Sequence, residues 1–289
     1  MTGAEGQLGS ELVNLARQRG HSIQGLGRAT GDLAAHGVVE SALRVHHPEV
    51  VINCAAFTKV DAAEANPDAA YRDNTLVPRL LAAACQAAGI LLVHLSTDFV
   101  FDGTARSPVD EWASPRPLGV YGASKLAGEA EIRHLCPMHQ IVRTSWLFGG
   151  DGPNFVLTIL RLARAGGPLR VVADQTGSPT WTGHLAPALL ELAVTGEAGT
   201  YHLSNQGAVT WHGLAEAVLA DSGLPELPVQ ALTTDQYPTP ARRPSYSVLD
   251  NRAWRLLGRA PLPAWRDGLR GYLMQRGVAG SAPTRTVRP

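Results

Sequence analysis

Short apolar runs alternate along the chain with longer stretches of helical period. VVINCAA around 51 to 56, ILLVHLS at 90 to 96 and IVRTSW at 141 to 146 read as strands, and segments such as RLLAAACQAAG read as helices. The strands lack polar alternation, as strands covered on both faces should. The pattern therefore predicts an α/β fold, a Rossmann-like doubly wound parallel sheet flanked by helices. The first helix is expected from Gln7 to Arg19, stopped by Gly20.

After residue 150 the pattern changes: NFVLTILRLARAG reads as a helix, PLRVV as a strand and DQTGSPTWTG as turns. A smaller C-terminal substrate lobe is expected from 151–182 and 233–276, beside a dinucleotide-binding domain of 1–150 joined by parts of 183–232. The stretch TTDQYPTPARRPSYS (233–247) reads as an ordered loop or lobe edge. The tail 277–289 lacks periodicity and is expected to be disordered.

Charge changes the picture little: 25 basic and 25 acidic side chains cancel, and no lysine-rich stripe suits a nucleic-acid polymer. The three cysteines, Cys54, Cys85 and Cys136, have neither paired count nor metal-ligand spacing, and they read as buried thiols of a cytoplasmic protein. No apolar run approaches the roughly 18 residues that cross a bilayer. No His, Cys or carboxylate cluster has metal-ligand spacing, so no metal site is assigned.

The first chemical motif is MTGAEGQLG, in which Gly3, Gly6 and Gly9 stand directly before the first helix. Glycines at this place let the backbone turn sharply and approach a pyrophosphate at the helix N-terminus. At the end of the next strand, SIQGLGRATGD carries Arg28 where an acidic residue would take the ribose hydroxyls, which favours a 2′-phosphate and hence NADPH over NADH. Asp32, with Leu33 beside it, is expected at the adenine end.

The sharpest constellation is STDFVFDG, at the end of the ILLVHLS strand, followed by YGASK. On a helix Tyr121 and Lys125 share one face, and an ammonium beside the phenol is expected to lower its pKa from about 10. Ser96 and Thr97 stand at the carboxyl end of a parallel strand, where open α/β sheets place their ligands.

GAEGQLG, NCAAFTKVDAAE, STDFVFDG, VYGASKLAGE, RTSW and YPTPARRPSYSVLD, in this order, resemble the dTDP-4-dehydrorhamnose reductase branch of the extended short-chain dehydrogenase/reductase family. The resemblance covers about residues 1 to 272. It implies NAD(P)H-dependent reduction of the C4 ketone of dTDP-6-deoxy-L-lyxo-4-hexulose to dTDP-L-rhamnose. Tyr121 would protonate the C4 alkoxide, Lys125 would tune it and hold the nicotinamide ribose, and Thr97 would hydrogen-bond the carbonyl oxygen.

By the same resemblance Gln7 and Leu8 line the pyrophosphate turn, and Ala55, Ala56 and Phe57 pack along the cofactor. Asp98 and Trp146 contact the sugar nucleotide, although Trp146 and Phe57 also suit a core and Asp98 suits a loop cap. Asn74 either supports the active-site helix or caps a helix. Arg242 and Arg243 in the proline-framed loop suit a substrate diphosphate. His184, His202 and His212 are assigned to structure. The family implies magnesium as a further cofactor in some members, and a homodimer is compatible with the sequence.

Two rivals stand beside this reading. A 4,6-dehydratase would want glutamate after Thr97 and Asp98, where this chain has Phe99. A non-catalytic subunit, resembling the β subunit of methionine adenosyltransferase, would not need Thr97, Tyr121 and Lys125 together. Relatives also begin with about five more apolar residues that form the central first strand. That strand is expected to be missing or truncated here, at a cost of several kcal/mol in ladder bonds and burial. Either the true start lies upstream of Met1, which is the expectation, or the strand is dispensable.

Overall fold

A computed structural model describes residues 1–195, 197–224 and 227–278. Its central sheet is parallel: β1 (Val50–Asn53), β2 (Leu91–Thr97), β3 (His139–Thr144) and an edge strand Gly199–His202, hydrogen-bonded in that order. Leu92, Val93, Ile141 and Val142 are fully buried, because helices cover both faces. That is the physical reason for the continuous apolar runs.

The expected absence of the first strand is met by a stub. Thr2 makes parallel bridges to Leu26 on one side and Asn53 on the other. Thr2 N–H donates to Ile52 O at 3.0 Å, Cys54 N–H to Thr2 O at 3.2 Å and Leu26 N–H to Met1 O at 2.7 Å. One residue thus stands where a full strand would, and both neighbouring edges gain partners across it. The chain leaves Thr2 for Leu26 on one side and returns to β1 on the other, so the strand order reverses between Thr2 and Asn53. This is the topological switch point at which doubly wound sheets hold ligands.

The first helix, α1, runs Gln7–Gln18, and Gly20 with φ 79° ends it. Leu8, Leu12 and Ala16 on its inner face pack with Leu185, Leu189 and Leu192 of the helix Thr182–Thr195. A second core forms the C-terminal lobe. Phe148, Ile159, Leu160, Leu169, Val218, Leu269 and Tyr272 meet there, and Asn154 caps the helix Phe155–Arg164 by accepting from Leu157 N–H at 3.0 Å.

The two cores share segments of the later chain. The helix Trp211–Ser222, inside 183–232, contributes Leu214 and Val218 to the lobe core, whereas Trp254 and Leu262, inside 233–276, pack in the nucleotide-side core. Of the tail, Val278 packs against the lobe core and its N–H bonds Leu273 O at 2.9 Å, so 277 and 278 are ordered. Residues 279–289 lie outside the described residues. No helix among the described residues is long and apolar enough to cross a membrane.

Candidate active site

The glycine turn meets the sheet at the switch point. Gly3 has φ 67°, and a Cβ on it would stand 2.6 Å from the Cys54 carbonyl carbon. Gly6 is the extended N-cap of α1 and has no side chain with which to cap it. The first-turn amides of α1 therefore keep their donor capacity, which suits a pyrophosphate. Gln7 is half-buried, its Nε2 donating to Pro153 O at 3.0 Å. The Leu8 side chain is buried in the core, and its backbone lies in the first turn of α1.

Arg28 is exposed at the start of the short turn Arg28–Thr30, two residues past Leu26, which is paired with Thr2. Asp32 and Leu33 follow on the same loop. Asp32 is ion-paired with Arg72 and caps Ala34 N–H at 3.0 Å, and Leu33 packs against the core between β1 and the helix Val77–Ala88. Ala55, Ala56 and Phe57 form a half-buried loop at the end of β1, on the same edge as the glycine turn.

The helix Val120–Leu135 carries Tyr121 and Lys125, and its inner face is polar: Ser124, Lys125 and Glu129 are buried with Gly122 and Gly128. The glycines let it come close, since a Cβ on Gly122 would stand 2.1 Å from Phe99 O and one on Gly128 2.1 Å from Asn74 O. Glu129 receives Arg143 Nε at 2.9 Å and Nη2 at 2.7 Å, and Ser96 Oγ at 2.5 Å. This paired and hydrogen-bonded carboxylate, held below its ordinary pKa against the opposing effect of burial, fixes the helix to β2 and β3.

Asn74 decides between its two readings. It lies in a π-turn, Arg72–Leu76, and not at a helix N-cap. Its Oδ1 accepts Phe57 N–H at 2.8 Å, and its Nδ2 donates to Phe57 O at 3.1 Å and Ser124 Oγ at 3.0 Å. It thus ties the β1 loop to the Tyr121 helix.

Thr97 ends β2. Its hydroxyl accepts Phe99 N–H at 3.1 Å and donates to Asp98 Oδ1 at 3.1 Å, and it stands beside the Tyr121 phenol, where it favours the charged form of that group. The ring of Phe99 packs edge-on against Tyr121 at 5.6 Å. Burial pushes the Tyr121 phenol up to about 12, with Asp98 adding to the rise and Thr97 opposing it. The expected lowering by Lys125 does not occur. Lys125 Nζ donates instead to Leu95 O at 2.6 Å and meets His94 Nε2 at 3.2 Å, and its own burial lowers it to about 8. Burial also raises the Asp98 carboxyl to about 6 and leaves its Oδ2 without a partner.

The two loop arginines part company. Arg243 is ion-paired: its guanidinium grips Asp61 at 3.0 and 2.8 Å and reaches Ala241 O at 2.9 Å. This ion pair holds the loop to the helix Val60–Ala65. Arg242 is exposed and lines a cavity with Phe99, Tyr121, Gly122 and Pro244. Trp146 takes a left-handed backbone, φ 46°, and stacks flat on Trp211 at 3.5 Å, within the aromatic cluster of the lobe. Among the described residues no group of three or more His, Cys, Asp or Glu side chains is placed to hold a metal ion.

The histidines assigned to structure are bonded within the fold. His202 lies between Glu111 and Val109 O, His184 bonds Asn205, and His212 bonds Val229 O. The thiols of Cys54 and Cys85 are pushed up to about 12 by burial, and Cys54 is half-buried where full burial was expected. Sequence reasoning missed Asn53 and His94, although a polar residue inside an apolar strand run was a readable signal.

The family model of the RmlD substrate binding domain matches residues 1–277. The chain belongs to this family. Among curated relatives, it is 43% identical over 275 residues to dTDP-4-dehydrorhamnose reductase of Streptomyces griseus, covering 93% of this chain and 90% of that one. It is 44% identical over 278 residues to the Mycobacterium tuberculosis protein of the same name, again covering 93% and 90%. A crystal structure of dTDP-4-dehydrorhamnose reductase from Bacillus anthracis in complex with NADP superposes with TM-score 0.92 at 37% identity, covering 95% of this chain and 97% of that one.

Proposed function

We propose that the chain is an NADPH-dependent reductase of the C4 ketone of dTDP-6-deoxy-L-lyxo-4-hexulose, forming dTDP-L-rhamnose. The observation that carries this reading is the meeting of Thr97 and Tyr121 at the carboxyl end of β2, with Lys125 one helical turn behind and the glycine turn at the adjacent switch point. Relatives at 43 to 44% identity bear the corresponding name.

When bound, the dihydronicotinamide supplies the hydride that reduces the ketone. The chain's part is to answer the negative charge that then grows on the C4 oxygen. Tyr121, raised to about 12, carries its proton throughout the neutral range and is the donor to that oxygen. Thr97, whose hydroxyl accepts Phe99 N–H and donates to Asp98 Oδ1, stands beside Tyr121 and offers the C4 oxygen a second hydrogen bond when that hydroxyl turns from Asp98. Exposed Arg242, on the cavity that Tyr121 also lines, is the arginine available to a diphosphate, and among the described residues no carboxylate pairs with it. Arg28 faces the adenosine 2′-phosphate in this reading. Among the described residues no group of three or more His, Cys, Asp or Glu side chains is placed for magnesium, and no step is assigned to it.

The reading is tested by supplying the ketosugar nucleotide with NADPH or NADH and following nicotinamide absorbance, with the product identified by chromatography. It requires oxidation of the cofactor with formation of the 4-hydroxy sugar nucleotide, faster with NADPH. Cofactor binding without oxidation of either form would instead support a non-catalytic subunit.

A further inference from the structure

The helix Val60–Ala65 follows the β1 loop at Phe57 and is seated by Ala63, which is fully buried. It carries two acidic residues three positions apart, Asp61 and Glu64, and each reaches a different distant part of the chain. Val60 and Glu64 also line the cavity that Tyr121 and Arg242 line. Both connections therefore end at the same opening.

Glu64 caps a helix other than its own. The helix Val120–Leu135 begins at Gly119, an extended N-cap residue with no side chain to receive the first amides. Glu64 Oε1 accepts Val120 N–H at 2.8 Å, and an acidic oxygen at that end also suits the helix dipole. The glycine is what admits it: a Cβ on Gly119 would stand 2.4 Å from the same oxygen. Val120 directly precedes Tyr121, so this bond fixes the backbone from which the phenol projects.

Asp61 holds the arginine loop. Its Oδ1 accepts Ala241 N–H at 3.2 Å, and its two oxygens take the Arg243 guanidinium at 3.0 and 2.8 Å. Both neighbours of Arg242 are thereby tied to one carboxylate, while the Arg242 side chain between them is exposed at the cavity. Further along, the loop closes on the turn at Gly103. Ser245 Oγ donates to Gly103 O at 2.9 Å, and a Cβ on that glycine would stand 2.6 Å from Pro244 Cα.

We propose that Asp61 and Glu64 are positioning residues that set, from one short helix, the gap between the proton donor Tyr121 and Arg242, the arginine that takes the substrate's diphosphate. The proposal rests on the reductase reading and names what keeps the two ends of that site in register. A hold on the diphosphate brings the distant ketone to the phenol only if the gap between arginine and phenol is fixed. The two carboxylates then leave separate signatures. Loss of Asp61 loosens the grip on the diphosphate, and loss of Glu64 displaces the donor.

Full-length protein saturated with NADPH is titrated with dTDP and with thymidine by calorimetry. Asp61→Ala should weaken dTDP binding about tenfold and leave thymidine binding within about threefold. Arg242→Gln should do the same, and the double variant should bind dTDP no more weakly than Arg242→Gln alone. With the ketosugar nucleotide, Glu64→Ala should lower kcat about tenfold or more with KM within about threefold. Glu64→Gln, whose amide oxygen can accept Val120 N–H, should restore kcat to within about threefold of the unmodified chain. Hydrogen exchange at the Val120 amide, which needs no turnover, should quicken about tenfold in Glu64→Ala and not in Glu64→Gln.

Unchanged dTDP affinity in Asp61→Ala, additive losses in the double variant, undiminished kcat in Glu64→Ala, or a Glu64→Gln protein as impaired as Glu64→Ala would each overturn the proposal. Where an alanine variant does not fold, Asp61→Asn and Glu64→Asp take its place with the same expected losses, the second being one methylene too short to reach Val120. An unmodified chain that binds dTDP and shows the expected Val120 exchange, yet turns over no ketosugar, would overturn the functional reading alone.

Discussion

A Cβ placed on Gly9 would stand 2.0 Å from the carbonyl oxygen of Gly3. The contact is backbone on backbone, so no side chain can move aside to relieve it. Gly9→Ala should push the start of α1 off the turn and weaken NADPH binding by at least tenfold in a fluorescence titration. The fold should persist, since the α1 core residues Leu12 and Ala16 lie one turn or more further on.

Glu129 and Arg143 are both buried and joined by two hydrogen bonds. Removing one partner strands the other charge away from water. Glu129→Gln should lower stability by about 3 to 5 kcal/mol, read as a shift in the urea midpoint.

Asn74 spans the loop at Phe57 and the helix at Ser124. Asn74→Ala leaves the Phe57 amide without its partner and releases the Tyr121 helix. About 1 to 3 kcal/mol of stability should be lost, together with a fall in kcat larger than any rise in KM.

His202 is buried, hydrogen-bonded to Val109 O and beside Arg143, and desolvation followed by the Arg143 charge lowers it to about 3. Its folded pKa lies below the unfolded value near 6.5, so the native state binds fewer protons between the two. The stability contribution is present above about pH 6.5 and is lost as pH falls toward about 3. His202→Asn should flatten this acid limb in denaturation curves collected from pH 7 to 4, while Asp98, raised to about 6, works in the opposite sense.

Much of the sheet was legible because its strands are buried on both faces and their apolar runs are unbroken. Thr97, Tyr121 and Lys125 were legible because their relations are short-range, a strand end and one helical turn. The edge strand Gly199–His202 was not, since GTYH has no apolar run. The pairing of Arg243 with Asp61 was not legible, because the two are 182 residues apart. The Tyr121 pKa was misjudged because helical spacing says which residues share a face, whereas Lys125 turns its nitrogen to β2. The burial of Leu8 was legible, since Leu8, Leu12 and Leu15 form one apolar stripe.

The account is tested most directly by the turnover of the ketosugar nucleotide with NADPH in the unmodified chain and in Tyr121→Phe. The variant loses only the phenolic hydroxyl. Turnover by the unmodified chain, a fall of about 10² to 10⁴ in kcat for the variant, and NADPH affinity unchanged within about threefold are expected. Undiminished turnover by Tyr121→Phe, or none by the unmodified chain with either NADPH or NADH, would contradict it.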